Sequence, residues 1–146
     1  MILIDTSVWI DFFNHPQSPF ANHLKELIEK DADLCLIDII LTEVLQGIKD
    51  DRIFEETKSS LLAFPIIKPV SIDTYISAAN IYRACRTKGI TIHKTIDVII
   101  SAVAIENNLS IFHNDKDFDR IAHCTNLKLF KLKVLKLLPR KLPRKY

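Results

Sequence analysis

Four stretches of this 146-residue chain set an acid directly after an apolar run or within a turn of one. Asp5 follows Met1–Ile4. Glu43 lies in T-E-V-L-Q-G, Asp97 in K-T-I-D-V-I-I-S-A-V-A-I, and Asp115, Asp117 and Asp119 in H-N-D-K-D-F-D-R. Carboxylates brought together repel and raise one another's pKa unless a cation neutralises them. A ligand set made only of oxygen favours Mg²⁺ or Mn²⁺ over zinc. Such a centre activates water and clamps phosphodiester oxygens for in-line displacement. Each acid alone also admits a structural reading: Asp5 as a helix cap, Glu43 as an exposed side chain, Asp97 as a match to a helix dipole. Their convergence from separate strand ends makes the catalytic reading the stronger one.

Other chemistries find little support. Two glycines, Gly47 and Gly89, leave no material for a phosphate-cradling loop. The cysteines Cys35, Cys85 and Cys124 are far apart and form no CxxC pair, which argues against structural zinc and a disulfide framework. No G-x-S-x-G elbow accompanies the serines and histidines. A phosphatase with Asp5 as nucleophile is the rival enzyme, but Ser7 stands where that pattern wants a second acid. A module of the same fold that binds RNA or protein without cleaving is the rival non-enzyme.

The elements that must position these acids read as alternating strands and helices. Unbroken apolar runs suit strands buried on both faces of a parallel sheet. Strands are expected at Ile2–Ile4, Leu34–Ile37, Ile66–Val70, Leu109–Phe112 and Leu127–Leu132. Pro69 makes the third an edge or an end. Helices are expected over Val8–Asn14 (capped by Thr6 or Ser7), Phe20–Lys30, from a cap at Asp38 to about Ile48, Asp51–Phe64, from Ser71 to Gly89, Ile96–Asn107 capped by Thr95, and Lys116–Ala122. This alternation predicts a three-layer α/β/α domain with a central, mainly parallel sheet of about four to five strands. Ligands of such sheets sit at the carboxyl ends of the strands.

Helical spacing adds detail. Glu43, Gln46 and Gly47 share a face, and Gly47 leaves space beside the carboxylate for a close approach. Ser101 lies one turn along from Asp97, within reach of a ligand or water. Asp119 falls one turn after Asp115 on its face, and Asp117 is expected to point elsewhere. His93 and His113 flank the acids and are expected on the substrate side or as structural groups, since hard cations prefer oxygen.

Charge is unevenly spread. Residues 126–146 carry eight basic and no acidic residues, leaving twelve basic against eighteen acidic in the rest. A basic tail attracts polyanions. One domain is expected over 1–132, followed by a mobile basic tail at 133–146. No apolar run is long enough to cross a membrane, and no signal peptide is evident, so a reducing cytoplasmic setting is expected.

The motifs I-L-I-D-T-S-V-W-I, T-E-V-L-Q-G, T-I-D-V-I-I-S-A-V-A-I-E-N-N-L and F-H-N-D-K-D-F-D-R-I, in that order, resemble PIN-domain proteins, specifically the VapC-type toxins of bacterial and archaeal toxin–antitoxin pairs. The resemblance covers about residues 1–132. It implies a metal-dependent endoribonuclease acting on RNA such as tRNA or rRNA. Its acidic quartet falls on Asp5, Glu43, Asp97 and Asp115. Asp5, Asp97 and Asp115 would hold Mg²⁺ or Mn²⁺, with Glu43 acting through water. Asp117 takes the place of a frequent additional acid, and Thr6 or Ser7 that of an assisting hydroxyl. Lys94, Lys116 and His113 would contact substrate, although the family commonly has Thr where His113 stands. The resemblance also implies a homodimer inhibited by a small antitoxin protein.

Overall fold

The structure, a computed structural model, describes residues 1–132; the expected mobility of the tail at 133–146 lies outside the described residues. Five parallel strands form one sheet: β1 (Ile2–Ile4), β2 (Leu34–Ile37), β3 (Ile66–Ile67), β4 (Ser110–Phe112) and β5 (Lys128–Leu129). Their order is β3-β2-β1-β4-β5, so β1 is central. Ile2, Leu3 and Ile4 face Ser110, Ile111 and Phe112 in register. Leu3, Ile4, Leu36, Ile37, Ile111 and Phe112 have no exposed surface, as continuous apolar strands between two helical layers require.

From β1 the chain steps through β2 to β3 on one side, then crosses back over β1 to β4 and β5. Crossovers of one hand put helices on opposite sheet faces when the direction of stepping reverses. The packing agrees. Helices α1 (Thr6–Asn14), α2 (Pro19–Glu29), α3 (Asp38–Leu45) and α4 (Asp51–Leu62) pack among themselves. So do α5 (Ile72–Thr87), α6 (Thr95–Glu106) and α7 (Lys116–Cys124). The reversal makes a switch point between β1 and β4, where the carboxyl ends of neighbouring strands splay apart.

Most expected elements form, with differences at their ends. β3 stops at Ile67, short of Lys68 and Pro69, and β5 is confined to Lys128–Leu129. Helix α1 starts at Thr6 because Asp5, in an extended conformation, accepts the Ser7 N–H, so the cap is Asp5 rather than Thr6 or Ser7. The α6 cap is Lys94, with no capping side chain, and Thr95 is already helical. Asp38 likewise lies inside the first turn of α3, which ends at Leu45 and leaves Gly47 outside the helix. Ser71 and Thr74 form a capping box at the start of α5, where the helix is expected to open. Gly89, at φ 74°, follows its end in the left-handed region that glycine adopts without strain.

One aromatic group braces β4 directly behind the switch point. Phe112 lies 5.3 Å from Phe130, 5.6 Å from His23 and 5.9 Å from Phe20, ring centre to ring centre. Truncating a buried Phe removes its transfer energy and leaves a cavity. Phe112→Ala is expected to destabilise the fold by roughly 3–5 kcal/mol, read from urea unfolding; a loss below about 1 kcal/mol would mean that this group does not brace the sheet.

Candidate functional site

The carboxyl end of β1 delivers Asp5 and that of β4 delivers Asp115, each as the N-cap of the following helix. Asp97 sits in the first turn of α6. Three helix N-termini therefore converge at the switch point, each bringing a carboxylate to its positive end. Glu43 reaches in from α3, in the same layer as α1, and its Oε1 accepts the Thr6 hydroxyl at 2.8 Å. The result is a crevice of about 280 Å³ whose walls include Asp5, Thr6, Ser7, Glu43, Lys94, Asp97 and Asp115.

Asp5 Oδ2 accepts the Ser7 hydroxyl at 2.6 Å and the Ser7 N–H at 3.0 Å. The same hydroxyl accepts the Asn114 N–H at 2.9 Å, which ties the end of β1 to the loop after β4. Asp115 Oδ1 accepts the Asp117 N–H at 3.0 Å, and its Oδ2 lies 3.3 Å from Lys94 Nζ. Asp97 is different. It is buried, and its Oδ2 has no hydrogen-bond donor. One oxygen each of Asp97, Asp115 and Asp117 lie within 4.8 Å of one another.

Burial pushes the Asp5 and Glu43 carboxyls up, with hydrogen bonds from Ser7 and Thr6 pulling the other way. Burial raises Asp97 to about 7, helped by repulsion from Asp115 and Asp5. Desolvation lowers the Lys94 pKa, but the summed attraction of Asp115, Asp97 and Asp5 outweighs it and leaves it raised. Asp117 behaves oppositely. Its burial is outweighed by hydrogen bonds from Arg120 and His93, which hold it low.

Several residues are not where spacing placed them. Asp117 turns inward, 3% exposed, while Asp119 faces solvent and pairs with His113 Nε2 at 3.5 Å. Helical spacing from Asp115 fails because Asp115 is the extended cap, not a helical residue. Ser101 is fully buried and donates to the Asp97 carbonyl at 2.7 Å, so its hydroxyl is committed inside α6. Nothing crowds Gly47: a Cβ there would meet only the Val44 carbonyl, at 4.0 Å. Lys116 is exposed and lies with His113 along a neighbouring groove beside Asp115. His113 Nδ1 accepts the Asp115 N–H at 3.0 Å, and the ring leans on Phe118, so it shapes the loop. Spacing said nothing of Asn114. Arg120 was legible in principle, because an acid and a base three apart on a helix are neighbours.

A carboxylate with a buried, unpartnered oxygen, among others whose donors are also oxygen, fits a hard divalent cation. Among the described residues Lys94 is the cation at this crevice, and it engages Asp115, not Asp97.

An unfolded Asp releases its proton near pH 4, while Asp97 in the fold holds it to about pH 7. The folded chain thus binds the extra proton between those values. Metal-free stability must fall as pH rises through that window. In EDTA, the melting temperature is expected to drop between about pH 5 and about pH 7.5. Asp97→Asn, which cannot ionise, is expected to melt above the native chain at about pH 7.5 by some 3 °C, the effect of roughly 1 kcal/mol in a domain of this size. Equal melting temperatures there would contradict the buried-charge account.

Comparison with known proteins agrees with this geometry. The PIN domain family model matches residues 2–123. Ribonuclease VapC11 of Mycobacterium tuberculosis is 36% identical over 128 residues, covering 87% of this chain and 96% of its own. A chain of a toxin–antitoxin complex from Klebsiella pneumoniae is 25% identical, with a TM-score of 0.64 over 81% of this chain and 90% of that one. VapBC2 of Rickettsia felis, solved bound to a promoter DNA fragment, shares the fold at TM-score 0.70 and 21% identity, over 89% of this chain and 98% of that one. A family model spanning all the strands but the last, and a relative matched along nearly its whole length, make this chain a member of the PIN domain family.

Proposed function

We propose that this chain is a metal-dependent endoribonuclease and the toxin of a toxin–antitoxin pair. The observation that carries the reading is the buried, donor-free Oδ2 of Asp97 at a crevice walled by Asp5, Glu43 and Asp115. Asp5, Asp97 and Asp115 are the residues to hold Mg²⁺ or Mn²⁺, with Glu43 acting through water. A bound divalent cation supplies Lewis acidity, lowering the pKa of water and offsetting charge that builds on the phosphate oxygens.

The chain's own groups do the rest. Thr6 holds Glu43 by Oε1, so Oε2 is free to take a proton from the attacking water. The raised Glu43 pKa suits that task. Lys94 Nζ, at the rim, exchanges Asp115 for a substrate phosphate and positions the backbone. Lys116 and His113 flank the same edge and are further candidates for substrate contact. The narrow crevice suits an unpaired RNA segment, as in tRNA or rRNA loops, better than a duplex. Such a substrate places the protein in the cytoplasm, and no helix among the described residues is long and apolar enough to cross a membrane.

Residues 1–132 would act as the nuclease domain. Two exposed apolar groups support partners: Val70, Ile72, Tyr75 and Ile76 near the start of α5, and Ile10, Phe13 and Ile53 beside Glu43. Contiguous apolar surface of this kind is ordinarily covered. A second copy of the chain and a small antitoxin are the proposed occupants. VapC11 is named a ribonuclease, and the Klebsiella structure is a toxin–antitoxin complex, which supports both halves of the reading.

Purified protein is expected to cut tRNA or rRNA at discrete positions with Mg²⁺ or Mn²⁺ and not with EDTA. Asp97→Asn is expected to lose more than the roughly 10–100-fold that outer partners of a metal site contribute. Metal-independent cutting, or a fully active Asp97→Asn, overturns the assignment. RNA binding without turnover in any metal favours a silent PIN-like module.

A further inference from the structure

Asp117 carries a conflict. One of its oxygens lies within 4.8 Å of oxygens on Asp97 and Asp115, as an additional cation ligand would. Both of its oxygens are nevertheless already engaged. Oδ1 accepts Arg120 Nη1 at 2.6 Å and lies 3.4 Å from His93 Nδ1. Oδ2 accepts the His93 backbone N–H at 3.1 Å. The Arg120 contact is a short charge-assisted bond, among the stronger kinds of hydrogen bond. The carboxylate is 5% exposed, so water does little to compete for it.

The consequences reach both walls of the crevice. His93 directly precedes Lys94, the cap of α6, and Asp97 lies one turn further on. Pinning the His93 N–H therefore fixes where Lys94 and Asp97 enter. On the other side, the Asp117 N–H donates to Asp115 Oδ1. One residue thus ties the α5–α6 connection to the cap of α7 and sets the spacing between Asp97 and Asp115. Arg120, one turn along α7, holds the carboxylate in that role. Its guanidinium also offsets part of the Asp117 charge, although Asp117 still adds to the repulsion felt by Asp97.

We infer that Arg120, Asp117 and the His93 backbone form a positioning clamp, with Asp117 a strut between the two walls of the crevice and not a ligand of the cation. This rests on the reading of the crevice as the reaction site. Its test therefore includes Mn²⁺ affinity, measured by electron paramagnetic resonance on full-length protein with Asp97→Asn as the control. A clear loss of affinity in Asp97→Asn upholds the site independently of the clamp.

For the clamp, Arg120→Gln and Asp117→Ala are each expected to lower kcat roughly 10–100-fold, the range for groups that orient metal ligands. KM should stay within about threefold, and Mn²⁺ affinity should fall by a similar factor in both variants and by less than in Asp97→Asn, since outer partners contribute roughly 10–100-fold to affinity or activity. The double variant should be no worse than the poorer single one, because both changes break one unit. Arg120→Lys, which keeps a cation near Asp117, should recover much of kcat. Arg120 is 42% exposed, so its variants remain foldable tests even where Asp117→Ala does not fold. The clamp is overturned if Asp117→Ala weakens Mn²⁺ binding more than about tenfold while Arg120→Gln leaves it unchanged. It is equally overturned if both Arg120 variants keep native kcat.

Discussion

Like charges crowded out of water at the β1–β4 switch point are the constraint on which the rest of this structure depends. Asp5 and Asp97 are each 4% exposed, and Asp115 and Glu43 face the same crevice. Carboxylates so placed cannot all ionise without compensation. The fold supplies three partial remedies. Helix N-termini meet Asp5, Asp97 and Asp115, the hydroxyls of Ser7 and Thr6 meet Asp5 and Glu43, and one ammonium, Lys94, meets Asp115. None of these donates a hydrogen bond to Asp97 Oδ2. What remains is a site whose charge a divalent cation would balance, with stability given up locally to keep the carboxylates poised.

The architecture follows from holding that crevice open. A parallel sheet with β1 at its centre brings two strand ends side by side, and the reversal of stepping direction splays the helices that leave them. The apolar strands behind the site resist collapse. Phe112, braced by Phe20, His23 and Phe130, anchors β4 at its last residue before the acidic loop. Asn114 and Ser7 then link the two strand ends by hydrogen bonds rather than by packing, which keeps the space between the carboxylates clear.

Much of this was legible in the amino-acid order. The apolar runs before Asp5 and Asp115 announce buried parallel strands, and their acids land at the switch point because β1 and β4 are the two strands that flank it. Asp97 was legible for a similar reason: a nearly all-apolar helix is central, so an acid in its first turn sits at the rim of the core. Spacing failed where a residue was assumed helical and was not. Asp115 is an extended cap, so counting a turn onward chose Asp119 over Asp117, and only the family resemblance singled out Asp117. Gly47 lies past the end of α3, so the argument from glycine inside a helix had no object. Ser101 bonds its own helix, a local competition that spacing does not reveal.

The central claim is that Asp97 is kept buried and unpaired for a divalent cation. Anomalous diffraction from crystals soaked in Mn²⁺ tests it most directly. The account predicts a peak in the crevice at about 2.0–2.3 Å from a carboxylate oxygen of Asp97, shared with Asp5 or Asp115. No peak there at millimolar Mn²⁺ would contradict it, as would a peak held by other residues alone.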